Sequence, residues 1–417
     1  MTIYNKIKSI ISKNSKVFEN YFFMTLLQVA GSFIGIAIYP YLIRTLGAES
    51  YGLYVFALSV TTYFLSFISF GFSFPALKKI AENKDDLSIK TEVISSVFTA
   101  KLYLTLFSIL IFSVLINLVP IMRENWLIFC LCFTQIIAEL FFPVWFFQGI
   151  QKMQIVTYIQ LGFRILTIPF IFIFIKIPEH TWIYVMITSV SVILGGITSM
   201  YLLYKTENIR IRLVNRKSLK EYFRDALPFF WSSSAGIIKQ ESVTIIIGAF
   251  FGMRDVALYD LANKLIIIPR MLTTSINAAI FPKIIEKIER SVVKKIIRYE
   301  TWIGLAVIAA IALFGYWIIL ILGGEVMLES YPLAVVLSVT VLVWLVVGCY
   351  ISFVFVPQKR YYFVTHNQFV AFGTFFLFCI PGVLIFHNIF TVVLALSLSG
   401  LCEIAYCNYL IKKYKLL

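Results

Sequence analysis

VISSVFTAKLYLTLFSILIFSVLINL, residues 93–118, holds a single charged residue, Lys101, and neither proline nor glycine. A hydrocarbon core roughly 30 Å thick takes about 20 helical residues at about 1.5 Å each, so this stretch is long enough to cross a bilayer as one helix. The pattern recurs outward in both directions. Apolar runs punctuated by charge predict helices near 18–43, 52–75, 93–118, 125–147, 154–175, 181–204, 227–250, 256–280, 302–322, 331–356, 362–386 and 389–410, about twelve spans by the length criterion. Composition agrees: the chain of 417 residues is 60% hydrophobic, 17% aromatic and only 14% charged, too apolar for a water-facing surface. The expected fold class is an all-α, polytopic membrane protein. The opening MTIYNKIKSIISKNSK is short and basic, but the apolar stretch after Glu19 exceeds a signal-peptide core and lacks an Ala-x-Ala-like site, so a retained first helix is expected.

An even number of spans puts both termini on one side, and basic residues decide which, because positively charged loops stay in the cytoplasm. With the N-terminus inside, the inner segments hold the basic residues from Lys6 to Lys16, Lys78 to Lys90, Lys152, Lys205 to Arg224, Lys283 to Arg298, Lys359 and Arg360, and Lys412 to Lys415. The outer loops keep only Arg44, Arg123, Lys176 and Arg254. Both termini are therefore expected in the cytoplasm, and most of the net charge of +15 faces anionic headgroups there. Nucleic-acid binding need not be invoked. The outer loops are too short for an extracytoplasmic catalytic domain.

A weak repeat divides the chain. LGAESYGLY, with Gly47 before Tyr54, stands between the first two spans, and FGMRDVALY, with Gly252 before Tyr259, between the seventh and eighth. Each following span ends in Phe-Pro and lysine, Phe74-Pro75 with Lys78 and Phe281-Pro282 with Lys283. Ordinary loop punctuation would also produce this; taken as a repeat, it predicts two six-helix bundles, 1–204 and 227–417, joined by a basic cytoplasmic linker, 205–226, partly helical along the membrane surface. The six cysteines fall inside spans without a CxxC pair, and His180, His366 and His387 are scattered. Neither pattern matches a disulfide framework or a metal site, and no cofactor is expected.

RTLGAESYGLY at 44–54, PVWFFQGIQKMQ at 143–154, LPFFWSSSAG at 227–236 and GMRDVALYDLANKLIIIPRMLTTSINAAIFPKI at 252–284 together resemble the Wzx-type polysaccharide transporters of the MOP superfamily of flippases and multidrug exporters. The resemblance implies a non-enzymatic inner-membrane flippase. It would carry an undecaprenyl-pyrophosphate-linked O-antigen or capsular oligosaccharide unit to the outer leaflet by alternating access. Its partners would be that lipid-linked substrate, membrane lipids and other glycan-assembly proteins.

An ionisable side chain within a span is costly unless it meets protein or water, which makes such residues functional candidates. The cations Lys239, Arg270, Lys264, Lys101 and Arg164 suit a phosphate-bearing headgroup. Gln240, Asn263, Asn277 and Gln28 are candidate polar lining for sugar hydroxyls, with Asn263, Arg270 and Asn277 spaced by sevens on the eighth span. Glu139, Glu241 and Asp260 are candidates for proton or sodium coupling. Structural readings stand beside these. Asp260 and Lys264, at i and i+4, can pair with one another, Lys101 and Arg164 can snorkel to the inner face, and Glu241 can neutralise Lys239. Trp145 reads as part of a packing motif that fixes the turn after the fourth span.

Two other functions fit the span plan. A multidrug exporter of the same superfamily predicts a cavity dominated by carboxylates, whereas cations prevail here. A membrane glycan polymerase or ligase needs a sizeable outer loop, which the spacing leaves no room for.

Overall fold

The computed structural model describes the backbone of residues 15–285 and 290–417, and their side chains except at 15, 17, 18, 216–218, 232 and 272–285. The described residues form helices and no strands, as a chain surrounded by hydrocarbon must if every backbone donor is to be satisfied within its own segment. In order, these are α1 (Ser15–Ser69), α2 (Ser73–Glu82), α3 (Leu87–Leu118), α4 (Pro120–Glu124), α5 (Trp126–Phe133), α6 (Gln135–Phe141), α7 (Val144–Gly149), α8 (Met153–Phe174) and α9 (Thr181–Glu207). The rest are α10 (Arg216–Phe250), α11 (Met253–Ile285), α12 (Arg290–Gly323), α13 (Ser330–Tyr350), α14 (Tyr361–Phe386) and α15 (Ile389–Tyr414).

Among the described residues, 9 helical stretches are long and apolar enough to cross a membrane, the first being the 51 residues Glu19–Ser69. That stretch is two spans. Gly47 breaks it with φ 76 and ψ 164, and the Tyr39 and Tyr51 rings lie 5.2 Å apart, whereas twelve residues of straight helix would separate them by about 18 Å. The chain therefore turns back at Gly47. Adding α10 and α11, each long enough to cross a bilayer, gives the expected twelve spans. Gly252, between α10 and α11, also has positive φ, 102, so both glycines of the repeat occupy a conformation that a side chain resists.

One expected boundary is corrected. The fourth span is not one helix over 125–147 but α5, α6 and α7 in succession. Pro143 explains the last break: it lacks an amide donor and pushes Phe142 out of the helical region, to φ −114 and ψ 83. Trp145, Phe146 and Phe147 are all buried, and Gly149 packs so closely on α2 that a Cβ there would stand 2.8 Å from Ile80 Cγ2. The packing reading of PVWFFQG follows. The helix that carries the seventh span begins at Arg216, so of the expected linker 205–226 only residues 208–215 are non-helical.

The described chain divides into two compact units. The first comprises residues up to Gly35 with Val60–Ser234, and the second Ile36–Ser59 with Ala235–Leu417. Phe72, Ile80, Val97, Trp145 and Phe146 belong to the core of the first, and Val293, Val347, Phe353, Phe363 and Leu410 to that of the second. Segments expected on one side of the membrane also meet. In the first unit Lys90 and Lys152 both pair with Glu207, at 3.0 and 2.6 Å, and Lys79 Nζ donates to Tyr222 at 3.0 Å. Burial alone would lower the Lys79 ammonium pKa, but Tyr222 and Glu92 outweigh it and hold the group above its ordinary value. In the second unit Arg44 donates to the Ile321 carbonyl at 3.1 Å and Arg254 pairs with Glu329 at 2.9 Å.

Gly52 makes the tightest of the backbone approaches in the second unit: a Cβ there would stand 1.8 Å from the Met253 carbonyl oxygen. Because backbone cannot swing aside as a side chain can, Gly52→Ala should cost about 1–3 kcal/mol, seen as a lower thermal midpoint in detergent micelles. An unchanged midpoint would refute that contact.

Candidate functional site

In the first unit, α8 is pinned to α1 by hydrogen bonds at its start: Met153 N–H donates to Asn20 Oδ1 at 2.9 Å, and Thr157 Oγ1 donates to the Phe23 carbonyl at 2.9 Å. Continuing one to two turns along both helices, residues four apart share a face. That register brings Gln160 and Arg164 opposite Gln28, Gly31 and Ser32. They line a cavity of about 410 Å³, floored by Met24, Leu27 and Met153. Gly31 makes room for the guanidinium, since a Cβ there would come within 2.4 Å of Arg164 Nη1. Among the described residues no carboxylate lies within ion-pair distance of Arg164. A guanidinium, two carboxamides and a hydroxyl thus converge at mid-span, offering donors to anionic and hydroxylic oxygens.

Lys101, in the same unit, is elsewhere. Its Nζ donates to Glu139 Oε1 at 2.5 Å and to the Glu139 carbonyl at 3.2 Å, and its side chain is 4% exposed. The two candidates neutralise each other and tie α3 to α6.

The second unit holds two more clusters. Lys264 pairs with Asp260 one turn earlier on α11, and Tyr51 donates to Asp260 Oδ2 at 2.8 Å. The ammonium donates to Tyr51 Oη at 3.1 Å and lies 5.0 Å from the Tyr39 ring centre, so two aromatic faces and one carboxylate enclose it. Lys239 of α10 pairs with Glu403 of α15 at 2.7 Å. This corrects the expected pairing with Glu241, which instead has Ser59 as a hydrogen-bond partner. Asn367 of α14 donates to Glu403 Oε2 at 3.4 Å. Arg270 lies flat on Trp344, its guanidinium carbon 3.6 Å from the ring centre, and feels the charge of Glu403.

Of the remaining candidates, Gln240 is exposed on α10 and Asn263 half-buried on α11, while the Asn277 side chain lies outside the described residues. Sequence reasoning passed over Glu403, Tyr39, Tyr51 and Trp344. Glu403 had a signal, as a lone carboxylate in the apolar run 389–410; the aromatic partners had none that separates them from interface anchors.

Residues 17–287 match the family described as polysaccharide biosynthesis protein. The chain belongs to that family. It is 24% identical over 313 residues, 75% of this chain and 74% of the relative, to a protein of Escherichia coli K12 named "Putative O-antigen transporter". Among solved structures it is similar to the lipid II flippase MurJ in an inward closed conformation, with a TM-score of 0.70 at 10% identity, covering 95% of this chain and 87% of that one. It is also similar to an inward-facing MATE multidrug transporter of the MOP superfamily, with a TM-score of 0.62 at 13% identity, covering 92% and 99%. The fold is thus the MOP transporter fold, and this member of the polysaccharide biosynthesis family is a membrane transporter rather than an enzyme.

If Lys101 and Glu139 serve structure, removing one must be worse than removing both. Glu139→Leu should cost about 3–5 kcal/mol by leaving a buried ammonium unpaired, and adding Lys101→Met should recover most of that loss. Folded protein yield after detergent extraction reads both; equal yields from the single and double variants would overturn the assignment.

Proposed function

We propose that this family member is a flippase of the cytoplasmic membrane that moves an undecaprenyl-pyrophosphate-linked O-antigen or capsular oligosaccharide unit from the inner to the outer leaflet by alternating access. The observation that carries this is the Arg164 cavity. A guanidinium stays protonated in any protein environment, so without a carboxylate beside it at mid-span it calls for water or an anionic guest. A phosphate supplies paired acceptor oxygens in the geometry the guanidinium fork matches. Gln28, Gln160 and Ser32 supply what sugar hydroxyls or the remaining phosphate oxygens need. The family match and the name of the Escherichia coli relative support a glycan as the cargo. Organic cations, the cargo of a multidrug exporter, would be repelled by the same arginine.

Deleting the gene in its host should leave lipid-linked oligosaccharide on the inner leaflet and remove the surface glycan. Normal surface glycan with altered sensitivity to cationic dyes would overturn the reading. Within the protein, Arg164→Ala forfeits charge-assisted hydrogen bonds worth about 1.5–3 kcal/mol. Export should fall roughly tenfold or more, with membrane level unchanged and Arg164→Lys intermediate; full export by the alanine variant would exclude the cavity. Orientation is tested separately. Reporter fusions after Lys217 should be cytoplasmic and after Glu325 external, in keeping with termini in the cytoplasm.

A further inference from the structure

Glu403 has a setting that sets it apart from the other carboxylates in spans. It is 8% exposed, and its two oxygens have different partners: Oε1 accepts from the Lys239 ammonium at 2.7 Å, and Oε2 from the Asn367 amide at 3.4 Å. Asn367 is fully buried. Its own oxygen accepts from the Cys407 thiol at 3.5 Å, which turns its amide donor toward the carboxylate. The amide bond at Oε2 suits the carboxyl group in either protonation state. The bond at Oε1 does not, because it depends on charge.

We propose that Glu403 is a proton-accepting counterion: an anionic headgroup that engages Lys239 draws the ammonium off Oε1, and Glu403 takes a proton from water in its place. The proposal rests on the anionic-headgroup reading above and adds what drives the cycle. A phosphate competes for Lys239 because it offers more acceptor oxygens and more charge than one carboxylate. Arg270, held against Trp344 and within the field of Glu403, favours the same guest. Once Lys239 has moved, a bare carboxylate in an apolar span is costly, and protonation removes the cost. No covalent bond to the guest forms; one proton passes from bulk water to Oε1 on binding and returns on release.

The groups facing this carboxylate limit the alternatives. From α10 comes Lys239, from α11 Arg270, and on α15 itself Cys407 one turn on. α14 contributes the neutral Asn367, its His366 being edge-on to Tyr362. From α13, Tyr350 donates to Asn408 at 2.7 Å, and Cys349 is buried beside Glu300.

The test uses the full-length chain in detergent micelles, titrated with farnesyl pyrophosphate by calorimetry in two buffers of different protonation enthalpy. Wild type should take up about one proton per bound ligand more than Glu403→Gln, with the variant still binding; taking the difference cancels the ligand's own titration. The wild-type dissociation constant should correspondingly rise with pH about tenfold per unit more steeply than that of the variant wherever that extra proton is taken up. Should Glu403→Gln not fold, the wild-type proton count corrected for the ligand's free titration decides. Binding without extra proton uptake, or the same uptake in both proteins, overturns the proposal and leaves the anionic-headgroup reading standing. No binding by folded wild type overturns both.

Discussion

The low dielectric of the membrane interior governs this structure, because a charge there must meet protein or water. Most spans are apolar around their whole circumference, and lipid tails are as apolar as leucine, so hydrophobic burial cannot choose which face of a helix turns inward. The ionisable groups do choose. Lys101 with Glu139 fixes α3 against α6, and Lys239 with Glu403 fixes α10 against α15. Tyr51, Asp260 and Lys264 hold the start of the second span to α11. Each pair costs desolvation and gains little net stability, but breaking one would strand a charge, so each selects one register over its neighbours.

Backbone features place these charges at the right height. The reversals at Gly47 and Gly252 both use positive φ, and the first sets the Tyr39 and Tyr51 rings side by side around Lys264. In the first unit, the break at Pro143 frees α7 to bury three consecutive aromatic residues against α2. The α7 to α8 turn then begins α8 at Met153, where Asn20 caps it and sets the rotation that points Arg164 at Gln28.

What sequence could reveal follows from which of these are local. The spans were legible because bilayer thickness is a length constraint that hydropathy measures directly. The broken fourth span was not, since hydropathy counts Phe142 and Pro143 as apolar and is blind to the missing amide donor. Asp260 and Lys264 were readable as a pair because they lie one turn apart. Lys239 was assigned the wrong carboxylate because Glu241 is its neighbour in sequence, while Glu403 is 164 positions away. Single-sequence reasoning finds the charges that need partners and has no means of choosing among distant ones.

The choice between lysine and arginine then separates roles among the intramembrane cations. A lysine in hydrocarbon can be neutralised by a carboxylate or by losing its proton, and Lys101, Lys239 and Lys264 all have carboxylate partners. An arginine keeps its charge, so a site built on one is permanently cationic. Arg270 is placed flat on Trp344, and Arg164 opens on a cavity lined by amides and a hydroxyl. Permanent charge suits a guest that is always anionic, such as a diphosphate. Exchangeable charge suits a group that must let go. The proposed flippase would need both, a fixed attraction that recognises the cargo and a partner that can be surrendered and recovered in each cycle, and on that proposal the two kinds of cation divide those tasks.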